Sequence, residues 1–185
     1  MRSFARPLLA ALLLAVTPAQ MVLAQSSFWS ADEQTSFDVL FENLRIAPDE
    51  PTARAIAEEI WALWTQPDDK VVAARFAAIV DQFGLGGPGA QIPLMDALIA
   101  DYPDYPEGWN LRATAKFFNG DYEGSLADIT ETLAREPRHF GALAGRVLIF
   151  HTLGRREEAL AAVKAALEIH PFLSERGLFP ELSRQ

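Results

Sequence analysis

The fold is decided by residues 106–171, PEGWNLRATAKFFNGDYEGSLADITETLAREPRHFGALAGRVLIFHTLGRREEALAAVKAALEIHP, in which one pattern occurs twice. The second copy follows the first after about 34 residues, without a shift in register. The matched positions pair Arg112 with Arg146, Gly120 with Gly154, Glu123 with Glu157, Leu126 with Leu160, and Pro137 with Pro171. Agreement at this many positions indicates an internal repeat and not two unrelated segments.

Each copy has the start, turn and stop residues of two helices joined by a tight turn. Gly120 follows a helix predicted over about residues 107–118, and glycine most readily takes the left-handed conformation that ends a helix. Asp121 can cap the amides of a second helix, predicted over about residues 121–135, and Pro137 ends it. Helices predicted at about 140–153 and 155–169 repeat the plan.

The repeat resembles the tetratricopeptide repeat (TPR). The features that carry the resemblance are Trp109 opening the first helix, glycine at the turn, Ser125-Leu126 early in the second helix, and Pro137 at its end. The sequence of Glu107–Leu126 is also similar to sequences of exported bacterial proteins of this repeat class. The resemblance implies an all-α, right-handed superhelical TPR-like solenoid, here of about four helical hairpins.

The remaining chain extends this plan on both sides. One period before the clear copies, Gly86, Ile92 and Pro103 fall in register and predict a degenerate TPR with helices at about 69–83 and 90–100. An earlier hairpin opens with a capping box, Ser30 with Glu33, and is either an N-terminal cap or a strongly diverged repeat. The predicted segments are a signal peptide at 1–24, a mobile lead at 25–29, the first hairpin at 30–67, the degenerate TPR at 68–105, TPRs at 106–139 and 140–171, and at 172–185 a tail able to cover the last hairpin.

The N-terminal segment has the pattern of a secretory signal peptide. Arg2 and Arg6 precede an apolar run, residues 8–16, that is too short to span a bilayer, and small residues follow up to Ala24. A retained membrane anchor is the alternative, but Pro18 interrupts the run. We therefore expect cleavage after Ala24 and a periplasmic or secreted protein with no stable membrane insertion. Cleavage takes the net charge from −9 to −11, which disfavours nucleic acid as a partner.

No catalytic or metal-binding pattern stands out, and the chain has no cysteine. His139, His151 and His170 lack the spacing of zinc ligands; His139 and His170 adjoin repeat-ending prolines, where we expect them to cap turns. Residues 84–89, GLGGPG, match G-x-G-x-x-G, but a helix is predicted before them where a nucleotide site needs a strand. We therefore predict a flexible turn there, no cofactor, no metal and no enzyme activity.

A solenoid of this type lines its concave side with the first helix of each hairpin, which forms a groove for a peptide or a helix. The residues predicted to face this side and bind a partner are Asn110, Thr114 and Phe117 in one repeat and Ala144, Leu148 and His151 in the next. Phe117 and Leu148 can equally well pack against the neighbouring hairpin. Arg112 and Arg146 can meet a ligand carboxylate, although we expect them to bridge to an acid on the next helix.

Chaperone-binding TPR proteins carry Lys, Arg and Asn residues that clamp a C-terminal carboxylate in this groove. Only Asn110 fits that pattern here, so we do not expect such a clamp. We predict a non-catalytic scaffold or adaptor of the bacterial cell envelope that binds another protein. A self-associating structural component of an envelope complex is the alternative, and a hydrolase is a distant one.

Overall fold

Over the residues that the structure describes, the chain forms four α-helical hairpins and no β-strand. The computed structural model describes residues 27–87 and 89–182, so the predicted signal peptide lies outside the described residues. The helices are α1 (Ala31–Arg45), α2 (Glu50–Thr65), α3 (Lys70–Val80), α4 (Ile92–Asp101), α5 (Pro106–Phe118), α6 (Tyr122–Arg135), α7 (Phe140–Thr152) and α8 (Arg156–Ile169). Each of them is too short or too polar to cross a membrane. The predicted all-α solenoid of helical hairpins is confirmed.

Polar side chains fix where several helices begin. The Ser30 hydroxyl accepts from the Glu33 amide and the Glu33 carboxylate accepts from the Ser30 amide, which is the predicted capping box. The carboxylates of Asp49, Asp69 and Asp121 accept from amides at the starts of α2, α3 and α6. Each cap contributes about 1 kcal/mol, because a free amide at a helix start otherwise lacks a partner in the protein.

Gly120 and Gly154 make the tight turns of the two clear repeats. Their φ angles are 79° and 70°, in the left-handed region as predicted. In the first turn the Asp121 amide donates to the Lys116 carbonyl at 2.9 Å, which closes the end of α5. The same turn type therefore reverses the chain between α5 and α6 and between α7 and α8.

We expect Gly120→Ala to lower the free energy of unfolding by about 1 kcal/mol. A Cβ added at Gly120 meets no atom within 4 Å, so the loss comes from the left-handed backbone alone. Gly177→Ala is the matched control, because Gly177 is equally open but lies outside the left-handed region. The control should change the free energy by less than about 0.5 kcal/mol in urea denaturation. Equal effects of the two changes would contradict this account.

The first hairpin packs against the last as well as against its neighbour. Consecutive hairpins meet through α2 and α3, α4 and α5, and α6 and α7, as in a solenoid, whereas α1 also contacts α8 and α2 also contacts α5. Arg138 donates to Asp38 of α1 at 2.7 Å, although 100 residues separate them. The ring of Trp64 in α2 lies 4.9 Å from the ring of Phe140 at the start of α7. The α1–α2 hairpin therefore forms a wall beside the two clear repeats.

The residues just before α1 are ordered by aromatic contacts. Trp29 is 6% exposed and its ring lies 5.0 Å from that of Phe37. The ring of Phe28 lies 4.7 Å from that of Tyr105. The prediction of a mobile lead at 25–29 is therefore wrong for residues 27–29, because two adjacent aromatic side chains bury enough apolar surface to offset the entropy lost on ordering them.

The connection between α3 and α4 is longer than predicted. Helix α3 ends at Val80 and α4 begins at Ile92. A series of turns over residues 81–87 replaces the last predicted turn of α3. Glycines favour such non-helical backbone, since they lose more entropy than other residues in a helix. The ring of Phe83 still contacts that of Phe118, with centroids 6.4 Å apart. This connection therefore lies beside the C-terminal end of α5.

The described C-terminal residues lie over the last hairpin. Phe179 is fully buried in a cluster with Val147, Ala159 and Val163. Arg176 holds this segment by donating to the Leu182 carbonyl at 2.7 Å. The segment therefore removes an apolar face of the α7–α8 hairpin from water, as a capping segment of a solenoid does.

Candidate functional site

One face of α5 and one face of α7 enclose a groove of about 180 Å³, called the concave groove below. Five of the six residues predicted to bind a partner line it: Asn110, Thr114, Phe117, Ala144 and Leu148. Ala113, Ile129 and Ile149 add apolar surface, and none of the described residues lining the groove is a lysine or arginine. The groove is therefore suited to an apolar side chain and lacks the cations of a carboxylate clamp.

Small residues on α7 leave room for this groove. Gly141, Ala144 and Gly145 lie on the groove side of the helix, opposite Asn110 and its neighbours on α5. A Cβ added at Gly145 would stand 3.3 Å from Cδ1 of Ile129, tighter than an ordinary contact. A larger residue at this position would press α7 away from α6 and change the groove.

The side-chain amide of Asn110 is fixed by a hydrogen bond to a buried carboxylate. Its Nδ2 donates to Oε2 of Glu107 at 3.0 Å, and the backbone carbonyl of Asn110 accepts from the Thr114 hydroxyl at 3.0 Å. The Oδ1 atom of Asn110 has no hydrogen bond to any of the described residues. Asn110 therefore offers a fixed acceptor in the groove, whereas the Thr114 hydroxyl proton is already used within α5.

Glu107 belongs to a polar pair inside the core. Its other oxygen bonds Nε2 of His139, and the two side chains are 1% and 0% exposed. The Ala142 amide donates to Nδ1 of His139 at 3.0 Å, so Nε2 carries the hydrogen and donates to Glu107. The His139 ring also stacks on Trp64 of α2, with centroids 4.0 Å apart and planes 4° from parallel. His139 caps α7 as predicted, and in addition it joins α2, α5 and α7.

His151, the sixth predicted residue, lies outside the concave groove. It is exposed near the C-terminal end of α7, and its ring lies 6.3 Å from that of Phe179. Because the C-terminal segment folds over this end of the helix, His151 contacts that segment and does not point across to α5. The grouping of His151 with the groove residues was therefore wrong.

A second compartment, of about 380 Å³, continues from the concave groove. Gly141 and Ala144 line both spaces. The compartment is also lined by Ala57, Glu58 and Trp61 of α2, by Phe140, and by His170, Phe172, Leu173 and Glu175 at the C-terminal end. A Cβ added at Gly141 would stand 2.8 Å from the Trp61 ring, so α2 approaches α7 only because this residue is glycine. The sequence did not predict these lining residues, since they meet only through the contact of the first hairpin with the last.

The two repeat-related arginines have different surroundings. Arg112 makes a bidentate ion pair with Asp128 of α6 at 2.8 and 2.7 Å and a third bond to Asp96 of α4 at 2.7 Å. The hydrogen bonds to Asp128 raise the pKa of Arg112 above its ordinary value. The predicted bridge to the next helix is thus confirmed for Arg112. For Arg146 it was wrong: Nε is buried without a hydrogen bond to any of the described residues, and burial lowers the pKa of this side chain.

The missing partners of Arg146 follow from the sequence. Asp96 and Asp128 flank Arg112 at equal distances along the chain, and the equivalent positions around Arg146 are Thr130 and Ala162. Neither of these side chains carries a charge, so the second repeat keeps the arginine without its acids. The repeat period therefore predicts that Arg146 lacks the two acids that surround Arg112.

The hairpins and their narrow concave groove define a helical-repeat scaffold, the class of protein that presents a surface to another macromolecule. No protein-family model matches the chain. A TPR repeat-containing protein of Rhizobium etli is 33% identical over 150 residues, which cover 81% of this chain and 74% of the relative. The chain belongs to the TPR repeat-containing proteins, as the resemblance indicated. Proteins with this repeat generally bind other proteins and are generally non-catalytic.

Proposed function

We propose that this protein is a non-catalytic adaptor of the bacterial cell envelope that binds a peptide or a helix of another protein in the concave groove. The observation that carries the proposal is the apolar groove between α5 and α7, with five predicted side chains on its walls. Membership of the TPR proteins supports a protein as the ligand. The N-terminal pattern of residues 1–24 supports export to the envelope.

The dimensions of the groove favour one large apolar side chain of the partner. Its volume of about 180 Å³ exceeds the roughly 150 Å³ that suffices to hold benzene in an apolar cavity. Burying a leucine or phenylalanine side chain between Phe117 and Leu148 contributes about 1.5–3 kcal/mol. The free Oδ1 of Asn110 can accept a backbone amide of the same peptide. We therefore expect a short extended or helical segment with one apolar anchor.

Selection of random peptides against the purified protein tests this proposal. The test variant is Ala144→Arg, which places a long side chain where the concave groove meets the second compartment. The matched control is Ala127→Arg, which adds the same charge at an exposed position of α6. We expect selected peptides to bind with Kd values on the order of micromolar, and Ala144→Arg to weaken them at least about tenfold.

Two outcomes would contradict the proposal. One is a set of peptides that bind the Ala144→Arg variant and the Ala127→Arg control equally well, which would move the binding surface away from the groove. The other is a combination of two results: no peptide is selected, and light scattering shows a stable oligomer of the protein at about micromolar concentration, where specific association is expected. The second result would favour the alternative, a self-associating component.

A further inference from the structure

The second compartment has aromatic walls. The rings of Trp61 and Phe140 lie 5.6 Å apart at 85°, and those of Phe140 and His170 lie 5.3 Å apart at 84°. Phe172 adds another aromatic side chain to the lining. Aromatic faces attract cations, and a planar guanidinium stacks on them as well.

Two of the three acidic side chains of this compartment can pair with a ligand. Glu50 and Arg54 both line the compartment, and they pair with each other at 2.8 Å. Glu58 and Glu175 also line the compartment; neither forms an ion pair with any of the described residues, and Glu175 accepts one hydrogen bond, from the Ser174 hydroxyl at 3.1 Å. The chain as a whole carries a net charge of −9, which adds to the negative potential. The charge of Arg54 is balanced by Glu50, so a ligand group that enters here meets the negative charge of Glu58 and Glu175.

His170 provides a buried polar atom that lacks a partner. The residue lines the compartment and is 8% exposed, and its Nδ1 has no hydrogen bond to any of the described residues. Burial lowers the pKa of His170, so the ring is neutral at neutral pH and one of its nitrogens can accept a hydrogen bond. A buried polar atom without a partner costs free energy, which a donor from a ligand would recover.

We propose that the second compartment binds an arginine or lysine side chain of the partner peptide, with arginine preferred, next to the apolar side chain that enters the concave groove. Glu58 and Glu175 supply the charge, Trp61 and Phe140 the aromatic faces, and His170 an acceptor. This inference rests on the proposed function, because it names a residue of the peptide held there. Gly141 and Ala144 line both spaces, so the basic and the apolar side chain belong to neighbouring positions of one peptide.

Titration with N-acetyl-arginine amide, followed by ¹⁵N-¹H correlation spectra of the purified protein, tests the compartment directly. We expect saturable shifts of the Trp61 indole and the Gly141 amide, with a Kd on the order of millimolar for such a small probe. Glu58→Gln and Glu175→Gln together should weaken binding about fivefold or more, since they remove both unpaired charges. N-acetyl-glutamate amide should cause no saturable shift.

Glu59→Gln is the matched control, because Glu59 adjoins Glu58 in sequence but lies beside Val39 and Leu63 on another side of α2. The control should bind the arginine probe as the unchanged protein does. The inference is overturned if the probe does not saturate, if the glutamate probe binds equally well, or if Glu59→Gln weakens binding as much as the double change.

The peptide selection separates this inference from the proposed function. Peptides whose binding is weakened by Ala144→Arg and that carry a basic residue beside the apolar anchor support both this inference and the proposed function. Peptides whose binding is weakened by Ala144→Arg but that carry no basic residue contradict the basic subsite and still support the proposed function. Peptides whose affinity is unchanged by Ala144→Arg contradict the proposed function, whatever their charge.

Discussion

His139→Ala should lower the free energy of unfolding by about 4 kcal/mol, the largest loss that we expect from a single change in this chain. The change leaves the Glu107 carboxylate, which is 1% exposed, without its main partner in the core. It also removes the side-chain cap of the Ala142 amide and opens a gap against Trp64. Chemical denaturation followed by tryptophan fluorescence measures the loss.

Two further changes make this prediction specific. His151→Ala is the matched control on the same helix, and its exposed side chain should cost less than about 0.5 kcal/mol. His139→Asn keeps a capping side chain but is too short to reach Glu107, so we expect an intermediate loss. A loss below about 1 kcal/mol for His139→Ala would show that the pair with Glu107 does not stabilise the fold.

Arg112→Met should cost about 2–3 kcal/mol, whereas Arg146→Met should be close to neutral. Both arginines occupy the same repeat position, and methionine keeps much of the apolar stem in each case. Removing Arg112 leaves Asp128, whose side chain is 3% exposed, with Lys116 alone. Arg146 pairs with no acid among the described residues, and removing it also removes a buried Nε that has no hydrogen bond to them.

A double change separates charge from packing in this prediction. If the cost of Arg112→Met comes from the unpaired carboxylate, adding Asp128→Leu should recover most of it, because apolar residues can replace a buried ion pair at little cost. Equal losses for Arg112→Met and Arg146→Met would contradict the account and assign the stability of both repeats to the arginine stems. Urea denaturation of the three variants and the unchanged protein at one pH provides the comparison.

The repeat, the caps and most of the concave groove could be predicted because their signals are local or periodic. Gly120 and Gly154 mark their turns by residue type, and Ser30 and Glu33 mark a helix start by spacing. The residues Asn110, Thr114 and Phe117 share one helical face by spacing alone. Such signals require no knowledge of how distant hairpins meet.

The second compartment could not be predicted, because it depends on contacts between distant parts of the chain. The Arg138–Asp38 ion pair joins residues 100 positions apart, and the stack of Trp64 on His139 is comparably distant. Neither contact follows the repeat period, so the pattern gives no indication that α2 faces the start of α7. The burial of Trp29 could not be predicted for a related reason, since it depends on contacts with Phe37 and Tyr105.

The central claim is that a partner protein occupies the concave groove in the envelope. The most direct test places a photoactivatable benzoyl-phenylalanine at Thr114, inside the groove, and in a second variant at Ala127 on the outer side of α6. Irradiation of the producing cells, followed by recovery from the envelope fraction, should give one abundant crosslinked protein from position 114 and none from position 127. The same crosslinks from both positions, or crosslinks from position 127 alone, would contradict the account.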